Sequence, residues 1–141
     1  MNEMLKITPI ALYFIVGAIS MKMAFKNLFA AKFLPFHEKA SVTPWNEIDN
    51  QLKAVILSLL RLSGMGFLIT ALLMLVFPIV NYFNPNTFSK YAIPVMALIY
   101  CSGLFAINYR LYNKTKAKTP WKGSLYALLI ILLGIIISIF S

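Results

Sequence analysis

Between Arg61 and Lys90 no side chain carries a charge, and the same holds from Tyr91 to Tyr109 and from Gly123 to Ser141. A bilayer's hydrocarbon core is about 30 Å thick, so a helix rising about 1.5 Å per residue needs about 20 apolar residues to cross it. These stretches therefore read as membrane spans. Leu62 to Ser89 overshoots that length, and Asn81, Asn84, Pro85 and Asn86 place a loop at its end. A fourth stretch, Ile7 to Met21, is shorter. It reaches full length if Lys22 keeps its methylenes in lipid and its ammonium among the headgroups. The expectation is an all-α membrane protein with four transmembrane helices in a bundle. Residues 1–141 form one membrane domain, with spans near 7–26, 54–80, 91–109 and 121–140 and basic loops at 27–53 and 110–120.

Composition agrees. The chain is 60% hydrophobic and only 12% charged, against about 25% charged in an ordinary soluble domain. A chain this short has too much surface for its volume to hide that apolar area in water. One cysteine excludes a disulfide framework and any two-cysteine redox motif. One histidine excludes bis-histidine haem ligation and three-histidine zinc sites. No metal or cofactor is expected. The first span has the look of a signal peptide, but Lys22, Lys26 and Lys32 follow it at once, the flank of a retained anchor.

The net charge of +9 is distributed unevenly. Lys22, Lys26, Lys32, Lys39 and Lys53 lie between spans one and two, and Arg110, Lys114, Lys116, Lys118 and Lys122 between spans three and four. The other side holds only Lys6 and Lys90. The positive-inside rule then puts both basic loops in the cytoplasm and both termini outside. Charges beside spans contact anionic lipid rather than nucleic acid, which would call for a basic face with stacking aromatics. Between Lys22 and Phe33, Phe25, Leu28 and Phe29 fall near one helical face. This predicts an interfacial helical segment in loop one, a continuation of span one, or a face on which a partner docks.

Thr43-Pro44-Trp45 precedes span two and Thr119-Pro120-Trp121 precedes span four; Gly17 and Asn27 have counterparts in Gly103 and Asn113 at the same spacing. In each tripeptide Thr can cap, Pro suits the first helical position and Trp anchors at the interface. Two related helical hairpins, or convergence on good helix-start chemistry, both explain the repeat. A span-two helix starting at Pro44 would be about 50 Å long. Asn50, Ala54, Ser58 and Arg61 would then form a polar strip entering the membrane. Close packing is expected at Gly17, at Ser63, Gly64, Gly66 and Thr70, at Ser102, Gly103 and Ala106, and at Gly134 with Ser138, because small residues let helices approach in lipid. Tyr13, Tyr82, Tyr91, Tyr109 and Tyr126 read mostly as belt residues.

Chemistry-bearing residues are few. His37 and Glu38, with Trp45, Glu47 and Arg61, could assemble an acid/base or anion-binding site at the membrane surface. The plainer reading makes His37 an exposed loop residue and Arg61 a lipid-phosphate contact. Arg61 still stands out, because a charge near a span is costly and tends to be used. Ser58 and Asn108 are the polar candidates on the spans, and Tyr100 with Asn108 outlines a slot for a quinone or lipid.

Phe33 to His37, Trp45 and Leu60-Arg61-Leu62-Ser63-Gly64 resemble a group of uncharacterised small four-span bacterial integral membrane proteins, over about residues 30–75. That resemblance implies a multi-pass protein of a bacterial inner (plasma) membrane and no particular activity. Small multidrug exporters need a carboxylate within the membrane, but Glu3, Glu38, Glu47 and Asp49 all lie outside the spans. Membrane-associated glutathione-transferase-like proteins share the topology, yet their Asn-x-x-Glu-x-x-Pro signature is missing. The first functional expectation is a non-catalytic accessory or scaffold subunit that binds membrane lipids and a membrane-protein partner or a second copy as a homo-oligomer. Its alternatives are a membrane-surface enzyme or lipid/quinone-type binding protein using His37, Glu38 and Arg61, and a small oligomeric transporter.

Overall fold

The computed structural model describes residues 3–140. Among them the chain forms α1 (Glu3–Leu28), α2 (Pro35–Ser41), α3 (Asn50–Phe83), α4 (Thr87–Thr115) and α5 (Trp121–Ile139). The four long helices are each long and apolar enough to cross a membrane, so the protein is an all-α, multi-pass membrane protein. Around the bundle the order is α1, α3, α4, α5. Of these neighbouring pairs, α1–α3 has the most extensive contact and α3–α4 the least. Although only the short link 84–86 joins them, α3 and α4 thus pack against each other sparingly.

Local chemistry explains the helix ends. Asn86 caps α4, its side chain accepting from the amides of Phe88 (2.9 Å) and Ser89 (3.3 Å). Asn81 holds the same turn by accepting from the Asn86 amide at 2.9 Å and the Ser89 hydroxyl at 3.0 Å. Asp49 caps α3 by accepting from the Leu52 amide at 3.0 Å. The backbone amides of Leu52 and Gln51 hold its carboxyl below the usual carboxylate range. The long second helix therefore starts at Asn50 and not at Pro44, with a separate 3-10 turn at Trp45–Glu47 before it. Neither threonine of the repeated tripeptide caps a helix. Thr43 donates to the Ser41 carbonyl, and Thr119 reaches back to the Asn108 carbonyl at 2.8 Å. Lys22 to Leu28 continues α1 without a break, and the separate loop-one helix is α2, further along.

Close approach is concentrated on α1. Gly17 lets Leu75 of α3 pack against it, Gly64 receives Leu28, and Gly134 of α5 receives the Tyr13 ring. Tyr13 is 4% exposed, a core residue rather than part of an interfacial belt. Val16, Met74 and Ile131 complete the centre. On α4 the expected packing face is wrong. Pro94, Ala97 and Cys101 point inward, while Ser102, Gly103 and Ala106 are exposed, and a Cβ at Gly103 would meet nothing within 4 Å. The two members of the internal repeat are accordingly used differently: Gly17 is buried against a neighbour and Gly103 is open.

Candidate functional site

Between α3 and α4, a cleft of about 500 Å³ opens at the basic end of the bundle. That volume lies within the roughly 300–1,000 Å³ of small-molecule pockets. Its walls are apolar: Leu60 and Phe67 from α3, Leu104 and Leu111 from α4, and Met23 from α1. Leu59 and Ile107, 60% and 67% exposed, form a rim on the lipid-facing side. Phe33, Leu34 and one face of α2 (Phe36, His37, Ala40) cover the end of the cleft. Pro35 starts α2 at a position where a missing amide costs little. Val42 ends it in a left-handed conformation, φ 62°, that a β-branched residue adopts only under constraint.

The cover is aromatic. Phe36 lies 3.9 Å from His37 between ring centroids, and Phe33 meets the Trp45 ring edge-on at 5.0 Å. Lys53 sits over the Trp45 ring, 5.9 Å from its centroid. Burial pushes the His37 imidazole below its ordinary pKa of 6.5, so the ring is neutral at pH 7. Its Nδ1 is buried without a hydrogen-bond partner.

A short polar row lies among the apolar walls. Asn27, only 3% exposed, donates from Nδ2 to the Ser63 hydroxyl across the α1–α3 contact at 3.3 Å. Its Oδ1 has no partner. The Tyr100 hydroxyl reaches the Ser63 carbonyl at 3.5 Å. Asn108 lines the opposite wall, its Nδ2 bonded to the Leu104 carbonyl at 2.9 Å. No Lys, Arg, Asp or Glu is among the residues lining the cleft.

The structure therefore divides the sequence-predicted residues. His37 and Asn108 line the cleft, and Trp45 buttresses its cover through Phe33. Glu38, Glu47, Ser58 and Arg61 are exposed and lie outside the lining. Ser58 returns its hydroxyl to the Ala54 carbonyl at 2.9 Å, so the strip formed with Asn50, Ala54 and Arg61 runs along the outer surface of α3. The acid/base constellation is not assembled around His37. Asn27 and Ser63 carry the site's polarity, yet in the sequence Asn27 is only a marker of the repeat and Ser63 only a small packing residue. The available signal was an amide on an otherwise apolar helix face.

A second cavity, of about 510 Å³, lies at the opposite end. Pro9, Pro78 and Pro94, one from each of α1, α3 and α4, line it together with Tyr13, Lys6 and Lys90. Each of these prolines lacks the amide that would bond the carbonyl four residues earlier, which loosens three helices around one space. Lys6 is already paired with Glu3 at 3.2 Å. No group of three or more His, Cys, Asp or Glu residues positioned to hold a metal occurs among the described residues.

No family model matches the chain, and no curated protein or solved structure matches it.

Proposed function

We propose that this protein is a membrane-embedded lipid-binding accessory protein, holding an amphipathic, lipid-like molecule in the cleft between α3 and α4. The observation that carries this reading is the pairing of apolar walls and an exposed Leu59–Ile107 rim with polar atoms of Asn27, His37 and Asn108 in the same cavity. A tail entering between α3 and α4 stays among side chains as apolar as the bilayer, while its polar end finds hydrogen-bonding groups. Catalysis is the weaker reading, because general acid/base work needs a partner beside the imidazole and Glu38 and Arg61 lie outside the cleft. The excess of Lys and Arg at this end favours placing the cleft at the cytoplasmic leaflet of a bacterial plasma membrane.

Retention of lipid through purification tests the proposal. The chain extracted in mild detergent should carry a discrete lipid mass by native mass spectrometry. Leu104→Trp, which fills the cleft from α4, should lose that mass at unchanged helical content. Equal retention by both proteins would refute cleft binding.

A further inference from the structure

We infer that the cleft selects an uncharged amphipath whose polar end is a hydroxyl, such as a diacylglycerol or a long-chain isoprenoid alcohol, over the charged phospholipids around it. The inference rests on the lipid-binding reading above and names the chemistry of the head group. Two buried polar atoms in the cleft lack partners: Asn27 Oδ1, on a residue 97% buried, and His37 Nδ1. A buried polar group left unpaired is costly, and such atoms in a native fold call for a missing partner. Asn27 Oδ1 accepts only. A neutral imidazole presents either a donor or an acceptor at Nδ1, according to tautomer. A hydroxyl has one proton to give and lone pairs to accept with, so a single such group completes both atoms when the ring carries its proton on Nδ1: it donates to Asn27 Oδ1 and accepts from His37 Nδ1–H. Water could serve a small polar hole, but this cavity is large and mostly apolar, a space that tails fill better than water does.

Charge argues in the same direction. A phosphate or carboxylate entering the cleft would leave water without a cation to meet it, since no Lys or Arg lines the cavity. The cations lie outside: Lys53 is engaged over Trp45, and Lys22 and Lys26 are exposed on α1. Anionic head groups are therefore held at the rim by surface attraction, and the interior is left to a neutral head.

Tryptophan quenching reads this directly, because Trp45 abuts Phe33 of the cleft cover. The full chain carrying Trp121→Phe, with Trp45 as its single emitter, is reconstituted in phosphatidylcholine vesicles. Brominated diacylglycerol, brominated phosphatidylglycerol and brominated phosphatidylcholine are titrated separately. Diacylglycerol should quench saturably at a few mole per cent, and an unlabelled isoprenoid alcohol should reverse it. Displacement by the alcohol, or its failure, distinguishes a general hydroxyl site from one shaped for two acyl chains. The charged and zwitterionic lipids should quench only in proportion to their mole fraction. Asn27→Leu should raise the diacylglycerol half-saturation point by about tenfold, the worth of one hydrogen bond in a dry site. His37→Phe, on the cover, gives a second variant that leaves the α1–α3 contact untouched and should weaken binding likewise. Saturation by phosphatidylglycerol at the same mole fraction would overturn the hydroxyl inference while leaving lipid binding intact. Absence of saturation by every lipid would overturn both.

Discussion

Replacing Gly64 by alanine tests the α1–α3 packing next to the cleft residues Asn27 and Ser63, and Gly103→Ala supplies its control. A Cβ at Gly64 would lie 2.8 Å from Leu28 Cγ and 2.9 Å from the Leu28 backbone nitrogen. Carbon contacts are optimal at about 3.5–4.0 Å, so the α1–α3 pair must open by about 0.6 Å. Because one of the obstructing atoms is backbone, rotating a side chain cannot relieve the clash. Overpacking of this kind costs about 1–3 kcal/mol. Gly103 lies in the same sort of long apolar helix but has open space around it. Both substitutions gain the same helix propensity, about 1 kcal/mol in favour of alanine. Their difference in stability therefore isolates the steric cost, about 1–3 kcal/mol, or roughly 5- to 160-fold in the unfolding equilibrium constant. Unfolding in mixed micelles with increasing dodecyl sulfate, followed by circular dichroism, measures it. Gly64→Ala should unfold at lower denaturant than wild type or only match it, and Gly103→Ala at equal or higher denaturant. Equal stability of the two variants would refute the assignment of the α1–α3 contact. Destabilisation by Gly103→Ala would mean that the outer face of α4 is covered by another helix.

Three further outcomes follow from the cleft and its cover. The half-buried His37 has a lowered pKa, so its imidazole binds a proton more readily when the α2 cover is lifted into water than when it is closed over the cleft. Closure is favoured at and above pH 6.5 and weakens as the pH falls toward the lowered value. Trp45 emission in the Trp121→Phe protein should shift across that window. His37→Gln should abolish the shift, and persistence of the transition in that variant would assign it elsewhere. Val42 is 88% exposed and held at φ 62°; Val42→Asn removes a left-handed penalty of about 1–2 kcal/mol without losing packing. Amide exchange across residues 35–41 should slow in this variant, and faster exchange would contradict the strain. For orientation, a Cys101→Ala background with Asn84→Cys or Lys118→Cys should label from outside the cell only at residue 84. Labelling at 118 alone would invert the topology.

The spans were legible because length and charge determine them. An uncharged stretch of about 20 residues has few options other than crossing a bilayer, and Asn84, Pro85 and Asn86 mark the turn as expected, while Asn81 lies in the last turn of α3 and holds the link through its side chain. Helix starts were less legible. Thr43-Pro44-Trp45 has the composition of a start, but Asp49 offers the α3 amides a better acceptor, and the helix begins there. The small residues of α3 face a neighbour, as their pattern predicts, and those of α4 do not. Gly64 and Gly103 are indistinguishable in sequence, since each follows a serine inside an apolar run. Which neighbour each one meets depends on the order of helices around the bundle, and local pattern carries no record of it.

The site residues divide along the same line. Arg61 drew attention because a charge near a span is costly, but the cost is avoided simply by facing outward at the membrane boundary, as its exposure on α3 allows. Asn27 has no such escape. The residue is 3% exposed, and its helix is clamped against α3 by the Gly64–Leu28 contact one residue away. A side chain that cannot turn toward the headgroups must find its partners inside, and Ser63 supplies only one of them. In a membrane protein the residue most in need of explanation is therefore the uncharged polar one that packing prevents from reaching the surface. Here that residue lines the cleft at the bundle's basic end, where a lipid's hydroxyl would complete it.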